Sequence, residues 1–136
     1  MKYLLDTNIL SELMKAEPDV GVVRWVEEHD EDCGISAITL AELEACVSLL
    51  PPGKRQSQLR RELDFIVREF QDSTLGFTDT EAPEWGRYVA ELTATGKPLR
   101  HFDSLIAATA RQWHLTVVTR DLSDFPNVST INPFAP

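Results

Sequence analysis

Short apolar runs alternate with longer helix-like segments along almost the whole chain, and this alternation most constrains the fold. Strands are predicted at KYLL (2–5), CGIS (33–36), LGF (75–77) and TVVT (116–119), with VSTI (128–131) as a candidate fifth. Helices are predicted over residues 6–15, 20–28, 38–50, 53–71, 78–95 and 102–114. Strands separated by helices need crossover connections, which build a parallel sheet covered by helices on both faces.

Breakers and one capping signal mark the helix boundaries. Pro51-Pro52-Gly53 stops one helix. Thr78, with Glu81 three residues later, resembles a capping box that would begin another. An amphipathic face is predicted between these two signals, formed by Leu59, Leu63, Ile66, Val67 and Phe70.

The composition bounds the class of protein. A chain of 136 residues suits a single domain over residues 1–136. The net charge of −9 argues against a general nucleic-acid coat protein, which needs a basic surface, but permits a cationic partner. No apolar run approaches the roughly 20 residues that cross a bilayer, and the N-terminus lacks the pattern of a signal peptide. We therefore expect a cytoplasmic protein without a membrane partner.

The pattern of the two cysteines is typical of a cytoplasmic protein. Cys33 and Cys46 form no CxxC motif and have no nearby histidine pair. We expect both to be buried as small apolar residues in a reducing cytosol, in preference to a disulfide or a zinc site.

Two aspartates follow predicted strands. Asp6 comes directly after KYLL, and one residue separates Asp121 from TVVT. Each alone is equally typical of a turn or a helix cap. If the two strands are parallel neighbours, both carboxylates emerge at the same edge of the sheet, where sites form in α/β folds. Together they predict a functional site.

Two further acids lie on predicted helices. Glu42 has apolar or small neighbours one turn away, which predicts a half-buried carboxylate that needs a partner; the alternative is an ordinary surface glutamate. Asp103 begins the apolar face that continues through Ile106, Ala107 and Ala110. An aspartate in a first helical turn is also favoured by capping and by the helix dipole.

Convergence of these four acids would require neutralisation by protons or by a divalent cation, and near pH 7 a hard cation is the natural choice. Two like charges about 4 Å apart repel by roughly 4 kcal/mol at an effective dielectric constant near 20. A site made only of oxygen ligands points to Mg²⁺ or Mn²⁺ in preference to Zn²⁺. Asp124 is a candidate fifth acid or a turn residue. Thr7, Asn8 and Thr119 would either hydrogen-bond the ligand carboxylates or cap the local backbone.

Four segments carry a family resemblance. LLDTNILSEL (4–13), SAITLAEL (36–43), FDSLIAATA (102–110) and TVVTRDLSDF (116–125) resemble the acidic motifs of PIN-domain nucleases, and more narrowly of VapC-type toxins from toxin–antitoxin pairs. LLPPGKR (49–55) and INPF (131–134) extend the resemblance over nearly the whole chain. Cys46 departs from the pattern, because a small residue, commonly glycine, often stands there.

The resemblance implies an α/β fold, a three-layer α/β/α sandwich around a central parallel sheet of four to five strands. It implies that Asp6, Glu42, Asp103 and Asp121 are the catalytic and metal-binding acids, with Asp124 as an accessory. The activity implied is Mg²⁺- or Mn²⁺-dependent hydrolysis of RNA that leaves 5′-phosphate and 3′-hydroxyl ends. A homodimer is implied as well, together with a small antitoxin whose basic C-terminal segment blocks the site.

Other functions fit the same residues. One is a catalytically weak binding module that acts mainly through an antitoxin-like partner. Another is a DNA-directed metal nuclease, because no residue identifies a contact with a 2′-hydroxyl group. A metal-dependent phosphatase is weakened because no DxD nucleophile motif follows a predicted strand. The three histidines, His29, His101 and His114, are scattered and suggest no nucleophilic triad.

Basic and aromatic residues add weaker hypotheses. Phosphate-positioning residues or solvated helix faces are predicted at Lys54, Arg55, Arg60, Arg61, Lys97 and Arg100. The tryptophans, Trp25, Trp85 and Trp113, have apolar helical neighbours, which favours core packing over base stacking.

Overall fold

The computed structural model describes all residues, from Met1 to Pro136. The strands are β1 (Tyr3–Leu5), β2 (Cys33–Ser36), β3 (Thr74–Leu75), β4 (Thr116–Val118) and β5 (Thr130–Ile131). The α-helices are α1 (Thr7–Leu13), α2 (Val20–His29), α3 (Ala37–Ser48), α4 (Lys54–Glu69), α5 (Ala82–Ala94) and α6 (His101–Gln112). Short 3₁₀ helices follow at Asp30–Asp32, Gln71–Ser73 and Leu122–Asp124.

The five strands form one parallel sheet in the order β3-β2-β1-β4-β5. The central strand β1 pairs on both sides, with Leu5 opposite Ile35 of β2 and Val118 of β4. The chain therefore crosses over after β3 to return on the other side of β1. The predicted α/β architecture is confirmed, with the candidate fifth strand present.

The pleat of the sheet divides the core into two halves. Leu5 and Val118 belong to a cluster formed with α1, α2, α3 and α4. Leu4 and Val117 belong to the opposite cluster, which includes Tyr88 of α5 and residues of α6. Successive strand residues point to opposite faces. Each pair of adjacent apolar residues therefore contributes one side chain to each half of the core. This arrangement is the three-layer α/β/α sandwich that the sequence predicts.

Three helices begin later than predicted, among them α4, which begins one residue later at Lys54. Helix α1 begins at Thr7, because Asp6 has an extended backbone and caps the helix, accepting a hydrogen bond from the Thr7 N–H. Helix α5 begins at Ala82, not at Thr78. The Glu81 carboxylate accepts the Thr78 N–H at 2.9 Å, but the Thr78 hydroxyl accepts the N–H of Thr80. The predicted capping pair thus closes a turn ahead of the helix.

The outer strands differ from the prediction in length and position. Strand β3 covers Thr74–Leu75, not residues 75–77, and β5 covers only Thr130–Ile131. Both lie at the edges of the sheet and pair over two residues with one neighbour. Strand β4 ends at Val118, which leaves Thr119 just beyond the sheet.

Three side chains predicted to be buried lie at the surface. Cys46 is exposed, whereas Cys33 is buried, and both are free thiols. Trp113 is 48% exposed, and its Nε1 donates to the buried Glu81 carboxylate. Val67 is exposed, since the buried face of α4 consists of Leu63 and Ile66. None of the helices combines the length and apolarity needed to cross a bilayer.

The C-terminal segment is fastened across the start of α2. The Asp19 carboxylate accepts the N–H groups of Gly21 and Val22, and the same oxygen accepts the Ala135 N–H at 3.0 Å. The Arg120 guanidinium lies over the Phe134 ring, 4.6 Å from its centroid. The chain beyond β5 therefore returns to the layer that contains α2.

We predict that Gly21→Ala destabilises the fold by about 1–3 kcal/mol. A Cβ at this position would stand 2.6 Å from the Pro133 carbonyl oxygen and 2.7 Å from the Ala135 nitrogen, both backbone atoms. Gly86→Ala is the matched control, because no atom lies within 4 Å of its added Cβ; it should stabilise α5 by up to about 1 kcal/mol. Urea denaturation of both variants measures the difference. Equal midpoints would contradict the proposed close approach.

Candidate active site

An acidic pocket lies at the carboxyl edge of the sheet. Its volume is about 260 Å³, and none of its lining residues is hydrophobic. The lining consists of Asp6, Thr7, Asn8, Ser11, Glu42, Asp103, Asp121 and Asp124. The structure thus brings together all five acids that the sequence singled out.

The register between β1 and β4 places Asp6 beside Thr119. Because Leu5 pairs with Val118, the next residue of each strand emerges at the same edge. The Thr119 hydroxyl donates to Asp6 Oδ2 at 2.9 Å, and the Asp6 N–H donates to the Val118 carbonyl at 2.9 Å. Both residues are buried. The Asp6 carboxylate is therefore held rigidly at the floor of the pocket.

Glu42 enters the pocket from α3. The Thr7 hydroxyl donates to Glu42 Oε1 at 2.7 Å. The Ser36 hydroxyl accepts the Ile38 N–H and so caps α3 directly after β2. Glu42 is partly buried and has gained a hydrogen-bond partner, as its apolar neighbours predict.

Asp121 is linked to the same network through Asn8. The Asn8 amide donates to Asp121 Oδ2 at 3.2 Å and to the Thr119 hydroxyl at 3.2 Å. The Asp121 N–H donates to that hydroxyl as well, at 3.1 Å. Thr7, Asn8 and Thr119 thus each hydrogen-bond one or more of the pocket acids.

The remaining two acids lie on α6 and on the 3₁₀ helix that follows β4. Asp103 is the third residue of α6 and is half-buried. Asp124 closes the 3₁₀ helix Leu122–Asp124, where the Arg100 Nε lies 3.0 Å from its Oδ1. Among the five acids, Asp124 alone has a basic side chain within 4.0 Å.

Burial and mutual repulsion raise the pKa of two of these carboxyls. Burial is the main cause of the rise in the pKa of Asp6 to about 6, against hydrogen bonds from Thr119 and Thr7 that lower it. The charges of Glu42 and Asp121 raise it further. Burial also raises the pKa of Asp103 to about 6, aided by its acidic neighbours. The site therefore disfavours its own full ionisation.

The donor atoms fit a hard divalent cation in their chemistry. Carboxylate, hydroxyl and amide oxygens line the pocket, and these are the ligands of Mg²⁺ and Mn²⁺. The carboxylates nevertheless stand apart, since no three acidic groups are close enough to hold one ion. Like charges without a counterion repel one another.

Sequence reasoning missed Ser11 as a pocket residue. It lies on α1, four residues after Thr7 and three after Asn8, so helical spacing places it on the same face. A search for polar residues one helical turn after Thr7 and Asn8 would have identified it. His101 is exposed and does not line the pocket.

Comparisons with known proteins agree with this geometry. The family described as "PIN domain" matches residues 3–130. Toxin FitB of Neisseria gonorrhoeae is 38% identical over 135 residues, covering 96% of this chain and 97% of the relative. VapC ribonuclease Y4jK of Sinorhizobium fredii is 35% identical over 137 residues, covering 98% of each.

Solved structures share the whole fold. The crystal structure of FitAcB from Neisseria gonorrhoeae superposes with a TM-score of 0.89 at 38% identity, covering 96% of this chain and 97% of that one. The structure of VapBC2 from Rickettsia felis, bound to a DNA fragment from its promoter, gives 0.82 at 27% identity, covering 97% and 98%.

We predict that Asp6→Asn stabilises the metal-free protein at neutral pH, by up to about 3 kcal/mol. The pKa of this acid is higher in the folded state than its ordinary value of 3.8. Between about pH 4 and pH 6 the folded state then binds more protons than the unfolded state, so its stability falls as pH rises. The gain from Asp6→Asn should grow over that range. Urea denaturation in chelator, as a function of pH, measures it.

Asp19→Asn is the control of opposite sign. Its pKa is lowered, chiefly by the hydrogen bond from the Ala135 N–H. That substitution should destabilise the protein at neutral pH, with an effect that disappears as the pH falls below about 4. A difference for Asp6→Asn that does not vary with pH would contradict the raised pKa.

Proposed function

The chain belongs to the PIN-domain family, and from this we propose that it is a Mg²⁺- or Mn²⁺-dependent ribonuclease acting as the toxin of a type II toxin–antitoxin pair. The convergence of five acids in one pocket without apolar lining is the observation that carries the proposal. Relatives named as a ribonuclease and as a toxin support it.

The residues divide into two roles. Asp6, Glu42, Asp103 and Asp121 would hold the cation, with Asp124 as an accessory. Thr7, Asn8 and Thr119 orient three of these acids through the hydrogen bonds described above. A bound cation would lower the pKa of water and offset charge on the phosphodiester.

The proposed reaction is hydrolysis of one phosphodiester bond. The oxygen of water bonds to phosphorus, and the bond between phosphorus and the 3′ oxygen breaks. The leaving oxygen gains a proton and becomes a 3′-hydroxyl, while the phosphate stays on the 5′ side of the next nucleotide. Asp6 is buried and accepts hydrogen bonds from Thr7 and Thr119, so it would fix the position of the cation that binds the reacting phosphate.

An apolar groove beside the pocket supports an antitoxin partner. The groove has a volume of about 410 Å³ and lies between α1, α3 and α4. Met14, Leu43, Val47 and Leu59 line it, and Ser11 lines both groove and pocket. A partner with an apolar segment followed by a basic C-terminal segment would fill the groove with the apolar segment. Its basic segment would neutralise the acidic pocket. Structural neighbours such as VapBC2 support this assignment.

The groove also favours the second candidate, a binding module with little catalytic activity. In that case the partner, and not RNA, would be the main ligand of the acidic pocket. We further propose a cytoplasmic location, because two free thiols suit a reducing compartment. A homodimer is the oligomeric state that we propose for the chain alone; the mass from light scattering tests it.

We predict that the purified chain cleaves single-stranded RNA with Mg²⁺ or Mn²⁺ and loses this activity in chelator. Glu42→Gln should lower kcat/KM on the order of 100-fold or more, because it removes a pocket carboxylate. Matched RNA and DNA, with analysis of the product ends, identify the substrate and the bond broken. Cleavage that survives chelator would refute the metal-dependent mechanism.

Glu44→Gln is the matched control. It lies two residues away on the same helix but is exposed and pairs with Arg60 at 2.6 Å, outside the pocket. We expect its activity to stay within about twofold of wild type, because an exposed ion pair contributes little. Absence of cleavage by wild type, together with tight binding of a basic partner protein, would favour the binding module.

A further inference from the structure

One basic side chain among those predicted to position phosphates reaches the acidic pocket. Arg100 lies with its Nε 3.0 Å from Asp124 Oδ1. Arg60 is occupied by Glu44 on the outer helices, and the Lys97 Nζ donates to Asn127. Arg100 is therefore the predicted phosphate-positioning residue that contacts an acid of the pocket.

The pairing of Arg100 is suited to exchange. Its side chain is 63% exposed even while it contacts Asp124. Exposed ion pairs are weakly held, since water screens them. A phosphate diester offers the same guanidinium a comparable oxygen acceptor, so an incoming strand would compete for Arg100 at the mouth of the pocket.

An exposed aromatic ring lies next to the same site. Phe102 is 55% exposed and belongs to neither core cluster. It directly precedes Asp103, a pocket residue, in the first turn of α6. The other exposed aromatic residues, Phe65 and Trp113, do not adjoin a pocket acid in sequence. An exposed aromatic ring is the kind of side chain on which unpaired bases stack.

We propose that residues 100–102 receive single-stranded RNA, with Arg100 contacting a phosphate and Phe102 stacking on an adjoining base. The inference rests on the proposed function and deepens it by naming two residues that would position the strand. When Arg100 turns to the phosphate, the Asp124 carboxylate is released. Arrival of substrate would thereby return a fifth free acid to the pocket.

The experiment compares Arg100→Ala, Arg100→Lys and Lys97→Ala. Binding of a labelled single-stranded RNA is measured in chelator over a salt series, and KM and kcat are measured with Mg²⁺. Arg100→Ala should raise KM about tenfold with a smaller change in kcat, and should reduce the log–log salt slope by about 0.7, the value for one contact on a single strand. Arg100→Lys should recover part of the affinity, because it keeps the charge. Lys97→Ala changes the net charge equally and should bind like wild type.

Two further variants separate a contact with RNA from a structural role. If Arg100 serves only to hold Asp124, then Asp124→Asn should weaken RNA binding as Arg100→Ala does. If Arg100 receives phosphate, Asp124→Asn frees it, and binding stays equal or tightens. Phe102→Leu keeps apolar bulk but removes the ring, and should weaken single-stranded RNA about fivefold or more while leaving duplex RNA unchanged.

The outcomes distinguish the inference from the proposed function. Wild-type cleavage with equal RNA binding by Arg100→Ala and Lys97→Ala would overturn the inference alone. Weaker RNA binding by Arg100→Ala in chelator would support the inference even if wild type cleaved nothing. Failure of wild type to bind or cleave RNA would overturn both. Loss of a protein partner's binding by Arg100→Ala, with RNA binding unchanged, would assign this surface to the partner and overturn the inference.

Discussion

The parallel pairing of β1 with β4 is the constraint on which the rest of the site depends. These strands are far apart in sequence, yet Leu5 lies opposite Val118 at their carboxyl ends. That register brings the backbone of Asp6 to the Val118 carbonyl and the side chain of Asp6 to Thr119. A shift of one residue would turn Leu4 and Leu5 to the wrong halves of the core. The same apolar packing that fixes the sheet therefore fixes the first acid.

The acids of the pocket repel one another, and this repulsion opposes the stability of the fold. Asp6 is 5% exposed, and its pKa is raised in spite of two hydrogen bonds that favour the ionised form. Hydroxyl and amide groups from Thr7, Asn8 and Thr119 hold the acids in place without neutralising them. A cation would relieve both burial and repulsion at once. The electrostatic cost of ionising the pocket and its affinity for a positive ligand would thus be two aspects of one arrangement.

Much of the fold and of the pocket follows from the sequence. Alternating apolar runs and helical periods predict the sandwich, and the positions of Asp6 and Asp121 after strands predict a common edge. The errors lie where local signals compete with tertiary contacts. Thr78 and Glu81 have the spacing of a capping box, yet their hydrogen bonds form a turn. Strand β3 is shifted because only two residues pair with β2.

Side-chain exposure was harder to predict than backbone structure. Cys46 has apolar helical neighbours, but it lies on the open wall of the groove between α1, α3 and α4. Trp113 follows the last residue of α6, and its Nε1 donates a hydrogen bond to Glu81, which is distant in sequence. These features depend on packing between elements, which periodicity within one element does not specify.

The meeting of groove and pocket at Ser11 has a consequence for the design of inhibitors. A small molecule confined to the acidic pocket would have to gain all its affinity from charge or chelation, because no apolar wall is available there. Such compounds lose potency as ionic strength rises. A compound that spans Ser11 could place an apolar group against Met14 and Leu59 and a cationic or chelating group in the acidic pocket. Its selectivity would then come from the apolar groove.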